Sequence, residues 1–174
     1  LLKPIRQVEG RADLVTGVLS LREFRANLAG MGATTRGKVF LPPQSRLDLL
    51  AVVPRLRAEP LGEALGQFLP LEGEARLEMA LTGGFSTIRA EGRIKSERLV
   101  LQDQTLHQAE ALFETDGNLL TLREVRARSG AGSLEGGGLV VLGPEASLVL
   151  TLNGNQTSLS GLSPVGGEIG SFDL

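Results

Sequence analysis

The feature that most constrains this chain is a long internal match with strand-type alternation on both sides of it. The octapeptide LSLREFRA at Leu19 to Ala26 lines up with LTLREVRA at Leu120 to Ala127, 101 positions further on. The same shift, without a gap, superposes Gln7 on Gln108, Gly37 on Gly138, Val39 on Val140, Leu41 on Leu142, Pro43 on Pro144, Leu47 on Leu148 and Leu49 on Leu150. A fixed period of this kind means that each copy must bury its apolar side against its neighbours, so the chain reads as one long repeat and most of a second.

Within the copies the dominant period is two. Ala75, Leu77, Met79 and Leu81 alternate with Glu74, Arg76 and Glu78, and Ile88, Ala90, Gly92 and Ile94 alternate with Arg89, Glu91, Arg93 and Lys95. That spacing puts apolar side chains on one face of a strand and charged ones on the other. Ala109, Ala111 and Phe113 continue the pattern to a hairpin turn at Asp116-Gly117, and Leu120 and Leu122 resume it. Val125 and Ala127 keep the spacing out of phase with Leu120 and Leu122; a bulge near Arg123-Glu124 restores register, and the first copy changes phase equally at Arg22-Glu23. A hairpin is expected from Val8 to Ala26 with its turn near Thr16-Gly17, and strands at 37–41 and 46–53 are split by Pro42-Pro43. Asn27 to Thr35 and Ser129 to Gly138 read as glycine-containing connections, Gly83-Gly84 as a turn, and the segment before Leu99 as a polar turn. Leu61, Leu65, Phe68 and Leu69 form one stripe of a short amphipathic helix that starts at Pro60 and stops before Pro70. The count is about ten to twelve short strands in an antiparallel meander with one helix, an all-β repeat architecture. The divisions are 1–53 as the later part of a first β repeat, 54–70 as the helical linker, 71–154 as the second repeat, and 155–174 as a tail or the start of another unit, all in one continuous module.

Composition removes several function classes. Formal net charge is −2 with both signs interspersed, so no basic stripe exists for nucleic acid. Hydrophobic residues are 41% of the chain with no Trp, no Tyr and 6 Phe, so any core is aliphatic. With no cysteine there is no disulfide scaffold, thiolate metal site or cysteine nucleophile. No apolar run reaches the roughly 18 residues of a spanning helix. The chain opens at Leu1 rather than Met and is expected to be a piece of a longer protein. His107, the single histidine, has Asp103 and Glu110 nearby in sequence but reads as a surface residue. The cluster Gly130 to Gly136 lacks the Lys-Ser or Lys-Thr and the following helix of a phosphate loop, so it reads as a turn. Asn155-Gln156-Thr157 matches a glycosylation sequon only as a short pattern. No catalytic residue, metal site or cofactor is expected.

A sheet with one aliphatic face must cover it, because each fully buried Leu or Val is worth roughly 1.5 to 3 kcal/mol. Three covers exist: a second sheet in a sandwich, closure into a barrel, or a curled half-pipe with an apolar concave face that an external apolar ligand helps to fill. The small residues Ala75, Ala90, Gly92, Ala109, Ala111 and Gly138 suit a curled sheet, and equally the close approach of two sheets. The candidates for lining such a groove are Leu77, Met79, Leu81, Ile88, Ala90, Ile94, Leu99, Leu101, Phe113, Leu120, Leu122, Val140, Leu142, Leu148, Leu150 and Leu152; the alternative is that they are ordinary core.

The order of elements from LEGEARLEMALTGGFSTIRAEGRI through RLVLQDQTLHQAEALFETDGNLLTLREVRARSGAGSLEGGGLVVL resembles the TamB family of repetitive envelope proteins, within the AsmA-like group. Gly73, Leu77, Leu81 and Gly83 carry the first glycine-leucine rhythm, and Gly130, Gly132, Gly136 to Gly138, Leu139 and Leu142 the last. The chain departs from the family at Gly83-Gly84-Phe85-Ser86, where a proline often follows the glycine. The resemblance implies a β-taco in the periplasm of a diderm bacterium, in a parent protein anchored in the inner membrane. Its hydrophobic groove would conduct phospholipid between the inner and outer membranes. The partners so implied are phospholipid acyl chains and neighbouring repeats of the chain. The alternative is a structural module that assists assembly of outer-membrane barrel proteins by pairing a strand edge with a barrel partner.

Overall fold

The computed structural model of the chain describes residues 5–28, 31–59, 71–101, 104–141 and 147–155. These form a single antiparallel meander of ten strands: β1 (Ile5–Val15), β2 (Val18–Leu28), β3 (Met31–Phe40), β4 (Arg46–Arg57), β5 (Leu71–Gly84), β6 (Thr87–Leu101), β7 (Gln104–Asp116), β8 (Leu119–Ser129), β9 (Gly132–Val141) and β10 (Ser147–Asn155). Each strand pairs with the next in sequence order, and β1 does not meet β10, so the sheet is open. Among the described residues no second sheet lies on either face, which corrects the sandwich alternative and leaves the curled sheet. The apolar face is the more buried one: Val140 is 2% exposed and Phe113 8%, although no other layer of described residues covers them.

The repeat is reproduced strand for strand. A shift of 101 carries β2 onto β8 and β3 onto β9 end to end, brings the start of β4 onto the start of β10, and places β1 within β7. The repeating unit is therefore six strands, with β5 and β6 between the two matched sets. Both expected bulges are present: one extra residue lies between Leu21 and Phe24 on β2 and one between Leu122 and Val125 on β8. Further shifts fall between Val53 and Leu56 on β4, at Ser96-Glu97 on β6 and at Gln108-Ala109 on β7. A bulge bends the strand that carries it, so these are the positions where the strands depart from straight.

Several loop expectations are overturned. Of the stretch 27–35 the described residues are the end of β2 and the first half of β3, and 129–138 is the end of β8, a two-residue turn and most of β9. At Gly136 a neighbouring backbone lies where a side chain would be, a Cβ there sitting 2.0 Å from the carbonyl oxygen of Thr151, whereas a Cβ on Gly32 would meet nothing within 4 Å. Gly83 and Gly84 end β5, and the chain turns at Phe85-Ser86. The polar segment before Leu99 is a bulge in one continuous 15-residue strand, not a turn. Buried Ser96 holds that bulge, its hydroxyl 2.5 Å from the carbonyl oxygen of Glu74 and accepting the N–H of Arg98 at 3.2 Å. At 9 to 15 residues the strands are longer than expected. β4 runs four residues past the expected limit, through Pro54 to Arg57, and the helix expected at 60–70 lies outside the described residues.

Candidate functional site: an apolar lane across the sheet

In an antiparallel pair, directly opposed residues project on the same side of the sheet, so chains of opposed pairs trace lines that run across the strands. Two such lines cross all ten strands on the apolar face. The first is Gly10, Phe24, Thr35, Ala51, Met79, Gly92, Phe113, Leu122, Gly138 and Leu150. The second is Ala12, Leu21, Gly37, Leu49, Leu81, Ala90, Thr115, Leu120, Val140 and Leu148. Neither contains a charged residue. Ten strands spaced about 4.8 Å apart make the lane about 43 Å long.

The predicted lining residues fall on this face. Met79, Phe113, Leu122 and Leu150 lie in the first line, and Leu81, Ala90, Leu120, Val140 and Leu148 in the second. Leu77 and Ile94 oppose each other beside the first line, and Leu152 opposes Gly136. Ile88, opposite Gly83, is at the rim and 44% exposed. Leu99 and Leu101 lie beyond the β6 bulge, opposite Leu106 and Gln104, and Leu101 is buried. Leu142 lies outside the described residues. Ala51, Val53, Leu56, Ala127 and Leu134, none of them among the lining candidates, are also buried on this face, as is Ala75, which the alternation had placed there. The repeat itself could have found the early ones, since shifting Leu150 and Leu152 back by 101 gives Leu49 and Ala51.

Charge is confined to the opposite face. There Arg93 meets Glu110 at 3.0 Å, Arg22 meets Asp13 at 2.8 Å, and Arg123 pairs with Glu114. These pairs are exposed and worth about 0–1 kcal/mol each, so they keep charge off the lane more than they hold the sheet together. The charged face also has an open hollow of about 900 Å³ with Leu50, Val52, Ala80 and Leu112 among its lining residues. It crosses β3 to β8 under Arg36, Arg76, Glu78, Glu91, Arg93, Glu114 and Arg123. The hollow is the weaker candidate, because Arg76, Arg93 and Arg123 on its rim are already paired with Glu78, Glu110 and Glu114.

Comparison with family models, with curated proteins and with solved structures gives no match. The case for function therefore rests on this chain's own residues. His107 is exposed and stands in register between Arg98 and Arg128. Among the described residues no group of three or more His, Asp or Glu side chains comes together to hold a metal ion. Among them, too, no helix is long and apolar enough to cross a membrane.

Proposed function

We propose that this chain is a segment of a lipid conduit, its apolar lane taking up phospholipid acyl chains while the headgroup stays in water. The observation that carries the reading is the pair of uncharged lines that pass through all ten strands without interruption. Each CH₂ moved from water into such a lane gains about 0.8 kcal/mol, so a long chain is held by area alone and slides without losing a specific contact. A conduit needs a surface that is uniform along its axis and open to its length, and a half-buried aliphatic lane on a one-layer sheet has both properties. The reading assigns the chain no reaction. Together with the resemblance in element order, we infer a parent protein in the envelope of a diderm bacterium, anchored in the inner membrane, with lipid moving between the two membranes.

The test is lipid capture by the purified chain, read by mass spectrometry of extracted lipid and by displacement of a fluorescent acyl probe. Leu122→Asp and Leu150→Asp each place a charge on the lane's first line and are expected to abolish displacement while far-UV circular dichroism is retained. A wild-type chain that neither carries nor competes for phospholipid sinks the reading.

A further inference from the structure

On the charged face Arg89 stands directly opposite Asp116, Arg93 opposite Glu78, Lys95 opposite Glu110, and Arg126 opposite both Glu110 and Glu135. His107 breaks this alternation of sign. It stands between Arg98 on β6 and Arg128 on β8, and the next residue in line after Arg128 is Ser133. On the other side of Arg98 comes Glu74, which also faces Arg57 on β4. The line Arg57, Glu74, Arg98, His107, Arg128 thus carries three arginines against one glutamate, in a chain whose formal net charge is −2. Like charges set close across strands destabilise a sheet, so the row costs the fold something that an anion seated on it would remove.

Arg98, His107 and Arg128 are all exposed. Three strands at about 4.8 Å spacing put Arg98 and Arg128 about 10 Å apart with His107 between them, so two long side chains can converge on one small anion. The row lies toward one rim of the sheet: Arg128 precedes Ser129, where β8 ends, Arg98 is three residues before the end of β6, and His107 three after the start of β7. Chemistry narrows the anion. A carboxylate has two oxygens, and a single guanidinium fork engages both. A phosphate directs its oxygens to the corners of a tetrahedron, a shape that two guanidinium forks and an imidazole N–H on three adjacent strands can share. The carboxylates that compete for the row are Glu74, Glu97 next to Arg98, and Glu110, which is engaged by Arg93 at 3.0 Å and Lys95 at 3.7 Å.

We propose that Arg98, His107 and Arg128 form a phosphate-binding row on the charged face, taking a phosphate group that is either free or part of a lipid headgroup. The inference rests on register and charge and does not depend on the lipid conduit.

His107 is the single histidine, so its ring protons give proton NMR signals that belong to no other residue. Titration of the whole 174-residue chain with inorganic phosphate, at fixed pH and with ionic strength held by sodium chloride, is expected to shift them saturably. Acetate should bind at least about tenfold more weakly. Arg98→Gln and Arg128→Gln should each weaken phosphate binding about tenfold or more, with far-UV circular dichroism retained. Arg126→Gln, on the same face but opposite Glu110 and Glu135, should leave it unchanged. Glycerol 3-phosphate and dihexanoyl phosphatidic acid below its micelle concentration carry the same phosphate without and with acyl chains. Tighter binding of the lipid that Arg98→Gln weakens assigns the row to a headgroup; equal binding of the two assigns it to free phosphate. The proposal is overturned if phosphate gives no saturable shift, if chloride or acetate does as much, or if both glutamine variants bind like the wild type. Displacement of the acyl probe is measured separately and should be the same in Arg98→Gln as in the wild type, so failure of the row leaves the lane to its own test.

Discussion

Gly92 is the most direct handle on how the sheet curls. It sits in the middle of the first line, between Met79 on β5 and Phe113 on β7. A Cβ there would lie 2.2 Å from the carbonyl oxygen of Glu78 and 2.9 Å from both Cα and Cβ of Met79. Carbon-to-oxygen contacts settle near 3.3 Å or beyond, so β5 and β6 would have to part by about 1 Å. Strand propensity argues the other way, since replacing an interior strand glycine with alanine ordinarily gains about 0.5–1 kcal/mol. Against that gain stand two strained ladder hydrogen bonds at about 0.5–1.5 kcal/mol each and the overpacking of a filled site at about 1–3 kcal/mol. The steric terms win, and Gly92→Ala is expected to lower stability by about 1–3 kcal/mol. Gly32 on β3 is the control, because a Cβ there meets nothing within 4 Å. Gly32→Ala should be neutral or stabilising by about 0.4–1 kcal/mol. With no Trp and no Tyr to report, urea melts are followed by far-UV circular dichroism. A Gly92→Ala midpoint at or above that of the wild type would refute the close-approach argument, since the propensity term alone would then have decided the sign.

Substitutions at two further positions test the bulges. Ser96→Ala removes the acceptor for Arg98 N–H at a buried site and should cost about 1–3 kcal/mol in a thermal melt, whereas an unchanged melt would mean that the bulge holds itself. Glu124 in the β8 bulge has φ 49, a left-handed conformation that costs a side-chain-bearing residue about 1–2 kcal/mol. Glu124→Gly should therefore raise the melting temperature despite glycine's entropy, and Glu124→Val should lower it; the reverse order would place the strain elsewhere.

What the sequence made legible was whatever involves one strand at a time. The alternation at 75–81 and 88–94 was readable because one face of the sheet stays wet and needs charge. The bulges at Arg22-Glu23 and Arg123-Glu124 were readable as phase changes, because a one-residue insertion flips every later side chain. The first parts of β3 and β9 read as connections because glycines such as Gly37, Gly136 and Gly138 answer to a neighbouring backbone rather than to a local turn. Gly37 has φ 136, and a Cβ on it would meet Asp48 O at 2.2 Å; the carbonyl responsible lies on another strand. The hollow on the charged face was hidden for the same kind of reason. Leu50, Ala80 and Leu112 are far apart in the chain and become neighbours only through register.

Register also exposes a shorter period than the one in the sequence. Leu21, Gly37 and Leu49 face one another across β2, β3 and β4; Met79, Gly92 and Phe113 across β5, β6 and β7; Leu122, Gly138 and Leu150 across β8, β9 and β10. Every third strand thus places a glycine between two large residues, about 14 Å apart along the lane. The chain intervals between these glycines are unequal, Gly37 to Gly92 containing the segment that precedes β5 and Gly92 to Gly138 containing none like it, so no fixed shift reveals them. The six-strand repeat is in this sense two three-strand halves. The first triplet sits in the second line of the lane and the later two in the first, which means that equivalent residues slip sideways by one line over a repeat. A lane built this way depends on keeping large beside small across neighbouring strands, not on any one residue type at a given repeat position. That explains how Phe24 can stand where the second copy has Val125, and Ala51 where it has Leu152, without interrupting the apolar surface.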